Sequence, residues 1–184
     1  MDILRTAIWA CYAIAVVAAI WDFVSGKIPN ILTLGGVLLG LSLHTAVGYV
    51  DGGSAGALRG FGASLTGIAV CSLVPLVSYG RKEMGGGDVK LFAAIGALCG
   101  PGIGFDAEGF AFAILFAVIF PWRIVRSGAF WDRVRNAAIG LGNIFRPTKN
   151  RLPYLTVRKL PPVVLGPAIL AGLSVALVRH GIWP

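Results

Sequence analysis

Met84-Gly85-Gly86-Gly87-Asp88-Val89-Lys90 places a carboxylate directly after three glycines and between two long apolar runs. A carboxylate at the mouth of a hydrophobic segment is costly to place, so it is read as functional by default. Its counterpart is Asp22, in Trp21-Asp22-Phe23-Val24-Ser25-Gly26-Lys27-Ile28-Pro29-Asn30, at the end of the first apolar run. The reading of the whole chain turns on whether those two aspartates meet.

The surrounding composition says what medium they sit in. Of 184 residues, 57% are hydrophobic and 13% charged, and mean hydropathy is +0.81. Soluble domains carry about 25% charged residues. The chain therefore reads as an all-α, polytopic integral membrane protein, a single membrane-embedded domain with no room for a separate soluble one. Apolar runs at about 3–20, 31–47, 58–79, 89–103, 110–125 and 161–178 predict six spans. Arg5 followed by an apolar run imitates a secretory leader, but Asp22 and Ile28-Pro29-Asn30 follow at once, so a retained first span is expected. Gly36 and Gly40 give the second span a small-residue face for close helix packing. Asp51-Gly52-Gly53 reads as a turn. Gly100-Pro101-Gly102 interrupts the short fourth span, and Asp106 and Glu108 read as an acidic connector before the fifth. No internal repeat is evident.

The net charge of +8 excludes little by itself. In this apolar setting it fits loops facing anionic lipid, and no nucleic-acid partner is expected. Connectors 21–30, 80–90 and 123–160 hold thirteen of the sixteen basic residues. The positive-inside rule therefore puts all three in the cytoplasm and both termini outside. Asp22 and Asp88 then both fall at the cytoplasmic boundary of the inner membrane. Within the basic connector 126–160, Phe130, Val134, Ala137, Leu141 and Ile144 recur at helical spacing, with Trp131 and Phe145 widening the stripe. This predicts a helix lying in the cytoplasmic interface. Cys11, Cys71 and Cys99 form no CxxC pair, so they are expected as small core residues, with no metal site and no cofactor.

Two carboxyl groups a few ångströms apart keep one proton between them. One member then deprotonates a water attacking a carbonyl carbon, while the other hydrogen-bonds the carbonyl oxygen. Helix ends assign Asp88 as base, at the start of its span, and Asp22 as acid, at the end of its own. Gly85, Gly86 and Gly87 would let a substrate backbone lie beside Asp88 and would permit angles closed to other residues. Lys90 would neutralise local charge or pair with lipid phosphate, and Glu83 is a candidate contact for a basic substrate. Lys27-Ile28-Pro29-Asn30 reads as a helix stop and restart, with Asn30 as a cap.

Asp22 with Lys27-Ile28-Pro29-Asn30, followed by Gly85-Gly86-Gly87-Asp88-Val89-Lys90, resembles the paired motifs of the type IV prepilin peptidases. These are intramembrane aspartyl proteases of the glycine-x-glycine-aspartate kind. Leu160 to Ala168, containing Gly166 and Pro167, resembles their last-span element and is assigned packing alone. The resemblance implies Asp22 and Asp88 as the catalytic pair, and a prepilin or pseudopilin precursor as substrate. It implies removal of a short basic leader at the cytoplasmic face. Nothing in the sequence corresponds to the zinc-binding cytoplasmic insertion of the members that also methylate, so the short, peptidase-only type is expected, similar to those of tight-adherence pili. The rival reading from the residues is an ion-coupled transporter in which Asp22 and Asp88 bind a proton or cation.

Overall fold

A computed structural model describes residues 2–82, 84–126, 129–144, 151–154, 156 and 164–182. Among them every regular element is helical: α1 Asp2–Ser25, α2 Asn30–Gly80, α3 Gly86–Ile114, a π-helical turn Leu115–Ile119, α4 Phe120–Arg126, α5 Ala129–Ile144 and α6 Gly166–Arg179. Three stretches, Arg5–Ser25, Asn30–Gly80 and Gly86–Arg123, are long and apolar enough to cross a membrane. Gly166–Arg179 is a shorter apolar helix. The residues divide into two compact units, Met1–Ile114 with Val164–Pro184, and Leu115–Val163.

In the first unit α1 runs on past Ile20 to Ser25, so Asp22 lies in its last turn and not in a connector. Gly26, at φ +65°, stops the helix, and its N–H donates to the Asp22 carbonyl at 2.8 Å. This is the left-handed C-cap that glycine adopts without steric cost. The 51 residues of α2 would extend about 76 Å if straight, far beyond a hydrocarbon core of about 30 Å. Gly52 and Gly53 break it (Gly53 at φ +59°). The two arms then fold against each other, with Gly48 on Gly56 and Gly60 on the His44 carbonyl. The expected turn at Asp51-Gly52-Gly53 is there, and the second arm is helical well before Leu58.

α3 reverses in the same way at Gly100, at φ +75° and ψ 175°. Pro101 follows, favouring an extended residue before it and a helix start after it. Gly96 comes against Gly104, and Phe92 stacks on Phe112 at 5.9 Å, so the arms are antiparallel. This corrects the sequence reading. Asp106 and Glu108 form no connector; both are helical residues of the second arm.

α3 is the buried centre of this unit. Its first arm meets the small residues of α2: Gly36 lies over Ala94, Gly40 over Ala97, and Gly67 over Gly96. Buried Ser64 donates its hydroxyl to the Ala97 carbonyl at 2.9 Å. Its second arm receives α6 at Gly172, where an added Cβ would lie 2.5 Å from the Ala107 carbonyl oxygen. In lipid there is little hydrophobic drive between helices, so this close backbone approach supplies the packing energy. At the C-terminal end of α6, Arg179 and His180 pair with Asp106 at 3.5 and 2.9 Å. Cys11, Cys71 and Cys99 are free and buried.

In the second unit, the Arg126 guanidinium lies 5.0 Å from the Trp122 ring centre. Trp131, Val134 and Leu141 of α5 are exposed. Asn143 both donates to the Leu152 carbonyl and accepts from its N–H, at 2.9 Å each. The side chains of Phe130 and Ile144, and all of Phe145, lie outside the described residues, as do residues 161–163 at the start of the expected last span.

Replacing Gly96 by Ala would drive a methyl group into the Gly67 backbone, whereas Gly62 faces open space. Gly96→Ala is expected to destabilise the fold by about 1–3 kcal/mol, seen as a lowered unfolding midpoint in detergent. Gly62→Ala should stay within about 0.5 kcal/mol of the parent.

Candidate active site

Asp22 and Asp88, distant in sequence, are both buried, 6% and 8% exposed. They line the same cavity of about 260 Å³, together with Lys27 and the Gly85 to Gly87 backbone. They lie close enough for their charges to interact. A site of that volume holds several waters, each needing about 30 Å³.

Each carboxylate is supplied with a backbone donor. Gly85 immediately precedes α3, and Asp88 is the third helical residue. The Asp88 side chain turns back to accept a backbone hydrogen bond from Gly85, while the Asp88 N–H donates to the Gly85 carbonyl at 3.2 Å. A Cβ at Gly85 would sit 3.0 Å from Asp88 Oδ2, so the glycine keeps that space open.

Asp22 takes its donor from the other end of the chain. The Gly166 N–H donates to Asp22 Oδ2 at 2.8 Å, fully buried. Gly166 opens α6, and Pro167 occupies its first turn. A Cβ at Gly166 would come 2.9 Å from Ala19 Cα and 3.0 Å from Asp22 Oδ2. The packing role read from the sequence is therefore incomplete: Gly166 also holds the carboxylate. The cue was present in Gly166-Pro167 ahead of an apolar run, a helix-start signature whose free N–H groups need acceptors. The helix-end argument that made Asp22 the acid omitted this donor. With it, both aspartates face a helix N-terminus, and helix ends do not separate one from the other.

The motif residues fall around this centre, with three corrections. Gly85, Gly86 and Gly87 do not adopt positive φ. Their value is close approach: a Cβ at Gly87 would be 3.2 Å from Ile28 Cβ, and one at Gly86 3.3 Å from Tyr79 Cε2. Asn30 does not cap α2, since Pro29 holds that position with no side-chain bond. Instead Asn30 Oδ1 accepts from Lys90 Nζ at 2.8 Å, so Lys90 ties the start of α3 to the start of α2. Ile28 is buried beneath the glycines, and Lys27 is exposed at the rim. Glu83 lies outside the described residues.

Sequence reading also missed Glu108. It is 3% exposed, and both its carboxyl oxygens are buried with no hydrogen-bond partner among the described residues. It does not line the aspartate cavity.

If Lys90 and Asn30 brace the site, a double-mutant cycle with Lys90→Met and Asn30→Ala should return a coupling energy of about 0.5–1 kcal/mol in detergent unfolding. Additive effects would show that the contact contributes nothing.

Residues 9–126 match the model of the type IV leader peptidase family. That interval includes both aspartates and ends before α6. Searches of curated proteins and of solved structures gave no match.

Proposed function

The chain belongs to the type IV leader peptidase family, and from that premise we propose that it is an aspartic endopeptidase of the membrane, cutting the short basic leader from prepilin or pseudopilin precursors. The observation that carries this reading is the shared cavity of Asp22 and Asp88. The pair holds one proton and a water. One carboxylate takes a proton from the water as its oxygen attacks the scissile carbonyl carbon. The other, protonated, donates to the carbonyl oxygen as it gains charge. Collapse of the tetrahedral intermediate breaks the C–N bond, and the proton taken from water passes to the leaving amine. Gly166 and Gly85 hold the two carboxylates in place, and preorganisation of this kind removes much of the barrier.

The breaks in α2 and α3 support the expected topology. With each folded into two arms, the described residues form six apolar arms, which supports a reading of six spans. Asp22, Asp88 and Gly166 gather at one end, and Asp106 meets the close of α6 at the other. The basic connectors favour the aspartate end as cytoplasmic, with both termini outside, in the inner membrane. The amphipathic α5, with Trp131 and Leu141 exposed, fits a helix in the lipid interface. The chain carries out peptide hydrolysis alone, without methyl transfer.

The test is the purified chain in detergent with a precursor peptide bearing a basic leader, and no ion gradient. Cleavage is expected, and Asp22→Asn or Asp88→Asn should each lower it at least about 10³-fold. Gly166→Ala should lower kcat about tenfold or more while KM changes little. An intact peptide under these conditions would sink the reading and favour ion-coupled transport.

A further inference from the structure

Cys11 and Cys99 lie on different helices, α1 and α3, and both thiols are free and buried. Asp22 follows Cys11 by eleven residues, and Cys99 follows Asp88 by eleven residues. Both intervals are unbroken helix, since α3 departs from helical angles only at Gly100. Eleven residues span about three turns and about 16 Å, which returns a side chain to nearly the same face. Each helix therefore presents a cysteine and an aspartate on one stripe. The helices run antiparallel, with the thiols meeting at one end and the aspartates at the other. The same register sets Ala15 level with Ile95, and Ala18 level with Phe92, and all four are buried. Small residues on α1 thus stand opposite large ones on α3 throughout the interval.

We propose that Cys11 and Cys99 are positioning residues for the aspartate pair: they lock the antiparallel register of α1 on α3, and the enzyme works with that register unchanged. A slip of one residue along the seam would move Asp22 by about 1.5 Å and turn it about 100° away. A displacement near 1 Å at reacting groups costs about 10²-fold in rate. A thiol pair is suited to the lock, because it packs as a small apolar group and can still make a weak directional hydrogen bond. The proposal rests on the peptidase reading for its activity measurements but not for its structural one.

The test uses the full chain carrying Cys71→Ala, which leaves only the two seam cysteines. Copper(II)–phenanthroline is the oxidant: two thiols lose two protons and two electrons, one S–S bond forms, and two Cu(II) become Cu(I). The expected result is near-complete protection from maleimide added after oxidation and unfolding in SDS, with leader cleavage within about threefold of the reduced enzyme. Thiols that stay open to maleimide would overturn the proposal. So would a disulfide that lowers cleavage more than about threefold and releases it on reduction, since the working register would then be another. If Cys71→Ala does not fold, mass mapping of the disulfide in the oxidised natural chain reads the same register. As a second readout, Cys11→Leu, which overfills the far end, should lower kcat about tenfold with KM within about twofold. Cys11→Ser should keep the wild-type kcat, and a Cys11→Leu enzyme with wild-type kcat would overturn the positioning role. A reduced enzyme that cleaves nothing defeats the peptidase reading, while maleimide protection still reports the register.

Discussion

A carboxylate held at the end of an apolar helix needs donors, because lipid supplies none. Asp22 receives the Gly166 N–H at 2.8 Å, and Asp88 receives a backbone bond from Gly85. Both donors come from helix starts, where backbone N–H groups lack partners of their own. A single arrangement therefore satisfies two needs: the helix ends gain acceptors and the acids gain donors. It also commits three parts of the chain to one place. The close of α1, the start of α3 and the start of α6 must converge, or one carboxylate is left without its donor.

Convergence at that point demands thin helices. α3 passes between neighbours that touch it backbone to backbone, with Gly40 over Ala97 and Gly172 over Ala107 and Ala111. Larger residues at these glycines would spread the helices and part the aspartates. The reversals at Gly53 and Gly100, both at positive φ, fold two overlong helices into arms. They return the chain to the end where the site lies. The same close packing keeps Cys11, Cys71 and Cys99 free and buried, three thiols that act as small side chains.

Much of this was legible in the residues. Asp22 and Asp88 stood out because a carboxylate beside an apolar run is costly to place and so has few bland explanations. Gly36 and Gly40 announced a packing face, and α3 occupies it. What escaped the sequence reading was set by partners far along the chain. The Gly166 donor lies 144 residues from Asp22, and no local pattern links them. Asn30 looked like a cap because capping is a local rule, yet the Lys90 ammonium at 2.8 Å claims its side chain. Gly85 to Gly87 suggested unusual backbone angles, but glycine serves close approach equally well, and only the neighbours decide which. Glu108 read as a connector acid because the fourth span, interrupted by Gly100-Pro101-Gly102, was expected to end near Ile103. A one-residue reversal at Gly100 instead carries it into the packed interior.

The central claim is that Asp22 and Asp88 form one electrostatic unit. Isotope-edited infrared titration of the aspartate carboxyl bands in detergent tests it most directly, comparing the natural chain with Asp22→Asn. A coupled pair loses its protons in two linked steps, and removing one member changes the titration of the other. The account predicts that Asp22→Asn shifts the Asp88 transition by at least about one pH unit. An Asp88 transition identical in the two proteins would mean that the carboxylates do not sense each other, and the account would be wrong.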